Sequence, residues 1–145
     1  MIVQFKKLNP NAVNPTKAHN ADAGFDLTAI SRTTDDHGNW VYDTGIAMNI
    51  PCGHVGLLFM RSSVAKKSQI LTNAVGVVDS GYIGSITFKM KPIVQDIKYT
   101  QAKPYEVGER IGQIIIIPIP PVTFEEVDDL GHTERGTGNY GSSGR

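Results

Sequence analysis

Apolar residues recur along this chain mostly at alternate positions, in short runs separated by Gly, Pro, Asn and Asp. Alternation puts successive side chains on opposite faces of a pleated ribbon, so the pattern predicts strands rather than helices. Residues 2–8 open the chain as one strand, followed by an aperiodic, turn-rich stretch containing Pro10 and Pro15. Further strands are predicted at 25–30, entered from the Ala23-Gly24 turn, and at 40–42, 45–50 and 54–60. Asp43-Thr44 and Pro51-Cys52-Gly53 divide the last three, and residues 33–39, TTDDHGN, are predicted as a loop.

Only residues 62–70 have helical character, barely two turns with Ser62 or Ser63 as N-cap. Residues 73–85, NAVGVVDSGYIGS, predict a β-hairpin. Ala74, Val75, Val77 and Val78 form its first strand, Ser80-Gly81 supplies the turn, and the second strand runs from Tyr82 through Ile86, Phe88 and Met90. A polar connection, 95–104, leads to residues 110–117, whose consecutive isoleucines point to both faces. Such a strand needs cover on both sides, and the reading expects one side to meet another subunit. Pro118, Pro120 and Pro121 end it, and residues 122–127 are predicted as a last, more exposed strand. Many short strands with one short helix favour an all-β sandwich or jelly roll. Residues 1–134 make one domain without internal repeat; residues 135–145, RGTGNYGSSGR, carry nothing apolar to anchor them and are expected to be a mobile arm.

Composition narrows the function. The 145 residues carry 14 basic and 14 acidic side chains, a balance that argues against a nucleic-acid coat or a membrane-surface protein. Cys52 is alone, and His19, His37, His54 and His132 show no metal-ligand spacing, so no protein-built metal site is expected. The start lacks a signal-peptide pattern and no run approaches about 18 apolar residues, which predicts a soluble, cytoplasmic protein.

Several stretches have chemical potential. Asp79 falls where a buried strand meets a tight turn, a place that aims a carboxylate into a cleft or merely caps its own backbone. Tyr82 follows beside Gly81 and Gly84, which admit a ligand or another backbone. Arg61-Ser62-Ser63 opens the predicted helix with a guanidinium and two hydroxyls, suited to phosphate or to plain capping. Asp26 begins a strand, as a metal-water partner or a turn residue, and Gln113 sits in an apolar strand where a buried amide needs a partner. In the arm, spaced glycines with Arg135, Thr137, Ser142 and Ser143 suit an anion, and Tyr140 suits stacking on a base. A floppy terminus is the plainer alternative.

Taken in order, AGFDLTA, RSSVA, NAVGVVDSGYIG, GERIGQ and RGTGNYGSSG resemble the five motifs of the trimeric dUTPase family, over residues 22–144. The resemblance implies a β jelly roll of the dUTPase-like β-clip kind and a homotrimer with active sites shared between subunits. The implied reaction is hydrolysis of dUTP to dUMP and pyrophosphate with Mg²⁺, which removes dUTP and supplies dUMP for thymidylate synthesis. By position Asp79 matches the general base, Tyr82 the ring under the deoxyribose, and Asn73 with the backbone around Gly76 the uracil contacts. Arg61, Ser62, Ser63 and Gln113 match phosphate contacts, and Asp26 the carboxylate near the metal's water shell. In the arm, Arg135, Gly136, Thr137, Gly141, Ser142 and Ser143 match the phosphate clasp, with Tyr140 where the family commonly has Phe. Ile83, Ser85 and Asn139 depart from the family pattern. The related dCTP deaminases need a glutamate where Lys89 stands here, and a non-catalytic nucleotide-binding trimer is the other rival.

Overall fold

β-branched and aromatic residues at alternating positions set the strands. Every strand pair in the computed structural model, which describes residues 1–93 and 102–139, is antiparallel. The strands are β1 (Gln4–Lys7), β2 (Phe25–Thr28), β3 (Ser31–Thr34), β4 (Trp40–Asp43), β5 (Ile46–Asn49), β6 (His54–Met60), β7 (Gln69–Leu71), β8 (Gly76–Val78), β9 (Thr87–Pro92) and β10 (Arg110–Pro118). They form a two-stranded β1-β5 ribbon and two four-stranded sheets, ordered β2-β10-β6-β8 and β3-β4-β9-β7. The all-β expectation holds.

The alternating inner residues of both large sheets meet in one core. Leu27, Leu58, Val78, Ile111 and Ile114 come from one sheet; Tyr42, Leu71, Phe88 and Met90 come from the other. The Phe88 ring of the facing sheet packs directly on Gly112. A Cβ there would lie 2.5 Å from Phe88 Cζ and 2.9 Å from the Phe59 carbonyl oxygen. Backbone cannot step aside as a side-chain tip can, so Gly112→Ala is expected to cost about 1–3 kcal/mol of stability, the usual penalty of overpacking. A chemical denaturation midpoint measures it; an unchanged midpoint contradicts the packing described.

Four local expectations are corrected. Residues 73–85 are not a hairpin: β8 pairs with β6, whereas β9 pairs with β4 and β7 in the opposite sheet. Residues 79–86 are therefore a loop that crosses between sheets, and the second strand begins at Thr87 instead of Tyr82. The helix expected over 62–70 is a 3-10 turn, Ser62–Lys66, whose N-cap is Arg61 without a side-chain cap bond. Ser68 turns the chain at φ 50°, which ends it, and β7 follows. Residues 33 and 34, expected in a loop, belong to β3, and the tight turn to β4 starts at Asp35. Residues 122–127 form no strand: Val122 is 65% exposed and Phe124 96%, with no ladder partner among the described residues. On β10, Ile111 and Ile114 are buried, Ile115 and Ile116 are half-buried, and Ile117 is exposed.

Candidate functional site

Two clefts gather the candidate residues. The first, about 300 Å³, lies where β2, β10 and the end of β6 come together, and Asp22, Gly24, Asp26, Arg61, Ser62 and Gln113 line it. Pairing places them: Gln113 opposes Asp26 on one side and Phe59 on the other, and Arg61 directly follows β6. Arg61 Nε donates to Asp26 Oδ1 at 2.9 Å, and Arg110 Nη1 donates to Oδ2 at 2.9 Å. One carboxylate thus holds two guanidiniums, and the Arg61 guanidinium keeps spare N–H donors at the cleft, which the Asp22 carboxylate also lines. Gln113 lies across Gly24, where a Cβ would come within 3.0 Å of its Cδ, so a side chain at that position would push the amide aside.

The 3-10 turn presents its two serines differently. Ser62 is exposed in the cleft; Ser63 does not line it, and its Oγ meets the Tyr105 hydroxyl at 2.9 Å. Tyr105 is buried, and its N–H donates to Tyr42 Oη at 2.9 Å. Burial raises the Tyr42 pKa, which keeps that phenol neutral. Beside it Lys67 Nζ donates to both Glu109 oxygens, at 3.0 and 3.2 Å. The Glu106 N–H and then Lys67 hold the Glu109 carboxyl below the usual glutamate range.

The second cleft, about 200 Å³, is lined by Asn73, Gly76, Asp79, Tyr82 and Ser85 among others. Asp79 follows β8 and opens a turn in which its carbonyl accepts the Tyr82 N–H at 3.2 Å, with Gly81 at φ 92°. The Asp79 carboxylate is exposed, and no described residue hydrogen-bonds or pairs with it. Tyr82 is 49% exposed and folds over Gly84, its hydroxyl donating to the Ser85 carbonyl at 3.0 Å. Ser85 Oγ donates to Asp43, whose Oδ1 also accepts the Gly45 N–H at 2.8 Å. A Cβ on Gly76 would lie 2.9 Å from Leu58 Cβ, so the wall there is bare backbone. No residue lines both clefts.

Arg135, Gly136 and Thr137 are exposed and line neither cleft; Gly136, at φ 50°, donates to the Thr133 carbonyl at 3.0 Å. Tyr140, Gly141, Ser142 and Ser143 lie outside the described residues. Lys89 is in β9, its Nζ 3.1 Å from Asp35 Oδ2 and away from both clefts. Sequence reading missed Arg110, Tyr105 and Asp43 as parts of these sites. Arg110 stands inside a quoted motif, but nothing in its spacing points to Asp26. Among the described residues no group of three or more His, Cys, Asp or Glu converges, and no helix is long and apolar enough to cross a membrane. The carboxylates lining the first cleft are those of Asp22 and Asp26. Asp26 has both oxygens engaged by arginine but retains a lone pair on each, which suits a hydrated cation's water shell and not direct ligation.

Comparison with known proteins is consistent across sequence and fold. The sequence model of one family, described as dUTPase, matches residues 11–144. The chain is similar to a deoxyuridine 5'-triphosphate nucleotidohydrolase of Rhodococcus erythropolis, 40% identical over 144 residues, covering 98% of this chain and 85% of the relative. One of Tropheryma whipplei is 37% identical over 133 residues, covering 90% and 88%. A solved structure of a Staphylococcus bacteriophage 80alpha dUTPase variant with dUpNHpp superposes with a TM-score of 0.83 at 30% identity, covering 99% of both chains.

Proposed function

The chain belongs to the dUTPase family of hydrolases, and on that premise we propose that it hydrolyses dUTP to dUMP and pyrophosphate as a homotrimer. One observation carries the reading. A cleft that offers the Arg61 guanidinium and the Ser62 hydroxyl and a cleft with an unpartnered carboxylate share no lining residue. In this reading each is half of a site for a phosphorylated nucleoside, and a second copy of the chain brings the two halves together.

In this reading the nucleoside occupies the second cleft. Asn73 and the bare backbone around Gly76 meet the uracil edge, and the Tyr82 ring closes the space a 2′-hydroxyl would need. The triphosphate lies along Arg61, Ser62 and Gln113 of the first cleft, with Ser63 completing the turn. Asp79 takes a proton from a water as its oxygen bonds to the α-phosphorus; the bond to the bridging oxygen breaks and pyrophosphate leaves. Asp26 would face the water shell of a phosphate-bound Mg²⁺, which would supply charge neutralisation of the triphosphate. Arg135, Gly136, Thr137, Gly141, Ser142 and Ser143 clasp the phosphates when the arm folds over, and Tyr140 stacks on the base. The work belongs to the cytoplasmic nucleotide pool.

Pyrophosphate release with Mg²⁺ from dUTP, dCTP, dTTP and UTP tests this. Turnover of dUTP alone is expected. Ammonia from dCTP, or tight binding of dUTP without turnover, overturns it in favour of a deaminase or a non-catalytic binder.

A further inference from the structure

We propose that Tyr105 is a positioning residue for the phosphate cleft, acting through the Ser63 hydroxyl. The inference rests on the assignment of that cleft to the triphosphate. The turn Ser62–Lys66 carries no buried residue and no side-chain cap, so neither packing nor capping holds it in place. Polar ties do. Lys67, its C-cap, reaches Glu109 and the Pro104 carbonyl through Nζ, and its own carbonyl accepts the Lys103 N–H at 2.8 Å. At the middle of the turn the side-chain tie is Ser63 to Tyr105.

The Tyr105 ring is built to be immobile. It is 1% exposed, meets Tyr42 edge-on with centroids 6.2 Å apart, and has Lys67 Nζ 4.8 Å from its centroid. Arg32 Nη1 donates to its carbonyl at 3.0 Å. The one freedom left is the hydroxyl, whose partner among the described residues is Ser63. The phenol's hydroxyl adds one bond, directed at the turn whose N-cap, Arg61, and first residue, Ser62, line the cleft. Arg61 is fixed from the other end by Asp26, which Arg110 also grips, and Arg110 adjoins the Glu109 that holds Lys67. The Tyr105–Ser63 bond closes this ring of contacts and sets where the Ser62 hydroxyl and the Arg61 guanidinium sit.

The test is a double-mutant cycle of Tyr105→Phe and Ser63→Ala, with Arg61→Ala as control. Binding of a non-hydrolysable dUTP analogue and of deoxyuridine is measured on the full chain. Tyr105→Phe keeps the ring contacts, and losing one hydrogen bond is expected to weaken the analogue about threefold to tenfold while leaving deoxyuridine unchanged. In the Ser63→Ala background, Tyr105→Phe is expected to add nothing. Equal losses for both ligands, or additive losses in the double variant, overturn the proposal. An effect of Arg61→Ala without one of Tyr105→Phe refutes the positioning role alone. Analogue binding untouched by Arg61→Ala refutes the cleft assignment beneath it.

Discussion

Asp79→Asn is expected to lower dUTP turnover by about 10²–10⁴-fold while the protein still folds and binds a non-hydrolysable analogue. The substitution keeps the shape of the side chain and removes its capacity to accept a proton. Asp79 suits the test because it is exposed and no described residue pairs with it. Nothing in the fold depends on its charge, and stability is expected to change by no more than about 0.5 kcal/mol. The Asp43 carboxylate is no substitute base, since it does not line the cleft that holds Asp79. Rapid-quench turnover measured beside analogue affinity separates the chemical step from binding. Unchanged turnover refutes the base assignment.

Mixing two inactive variants is expected to restore activity. Arg61→Ala removes a guanidinium from the phosphate cleft and leaves Asp26 with Arg110 alone, a loss of about 10²-fold or more in activity. Asp79→Asn damages the other cleft. No residue lines both, so a site that draws Asp79 from one chain and Arg61 from another survives in mixed assemblies. Random co-assembly of equal amounts leaves about a quarter of such sites intact, since each half is unmutated in half the chains. Selecting co-expressed protein through both tags removes the single-variant trimers and leaves one intact site in each mixed trimer, so about a third of wild-type turnover is expected. If both clefts of a site belong to one chain, every site carries a defect and the mixture stays inactive.

The sequence carried the strand content well because period-2 alternation is local. The limits of β6 and the run of β10 were legible almost residue by residue, since each strand contains its own pattern. Pairing was not legible. Val77 to Met90 reads as strand, turn and strand, yet β8 and β9 join different sheets, because their partners lie in β6, β4 and β7 and no local pattern names them. Ser62 to Ile70 has helix-compatible residues but no apolar stripe, and the positive φ at Ser68 frees Gln69 to pair with Pro92. Residues 122–127 alternate like a strand, and the pattern is insufficient without a neighbour to bond.

For the site, the sequence by itself determined the order and types of the chemical groups, and with them the family, because motif identity depends on residues close together in the chain. Tertiary structure alone decided what each group touches. It placed Asp26 between Arg61 and Arg110, 35 and 84 residues away along the chain. It turned Ser63 inward to Tyr105 while Ser62 faces the cleft, and it left the Asp79 carboxylate unpaired in a cleft of its own. Contacts of that range form when sheets pack and strands choose partners, and neither event leaves a mark in the spacing of residues along one strand.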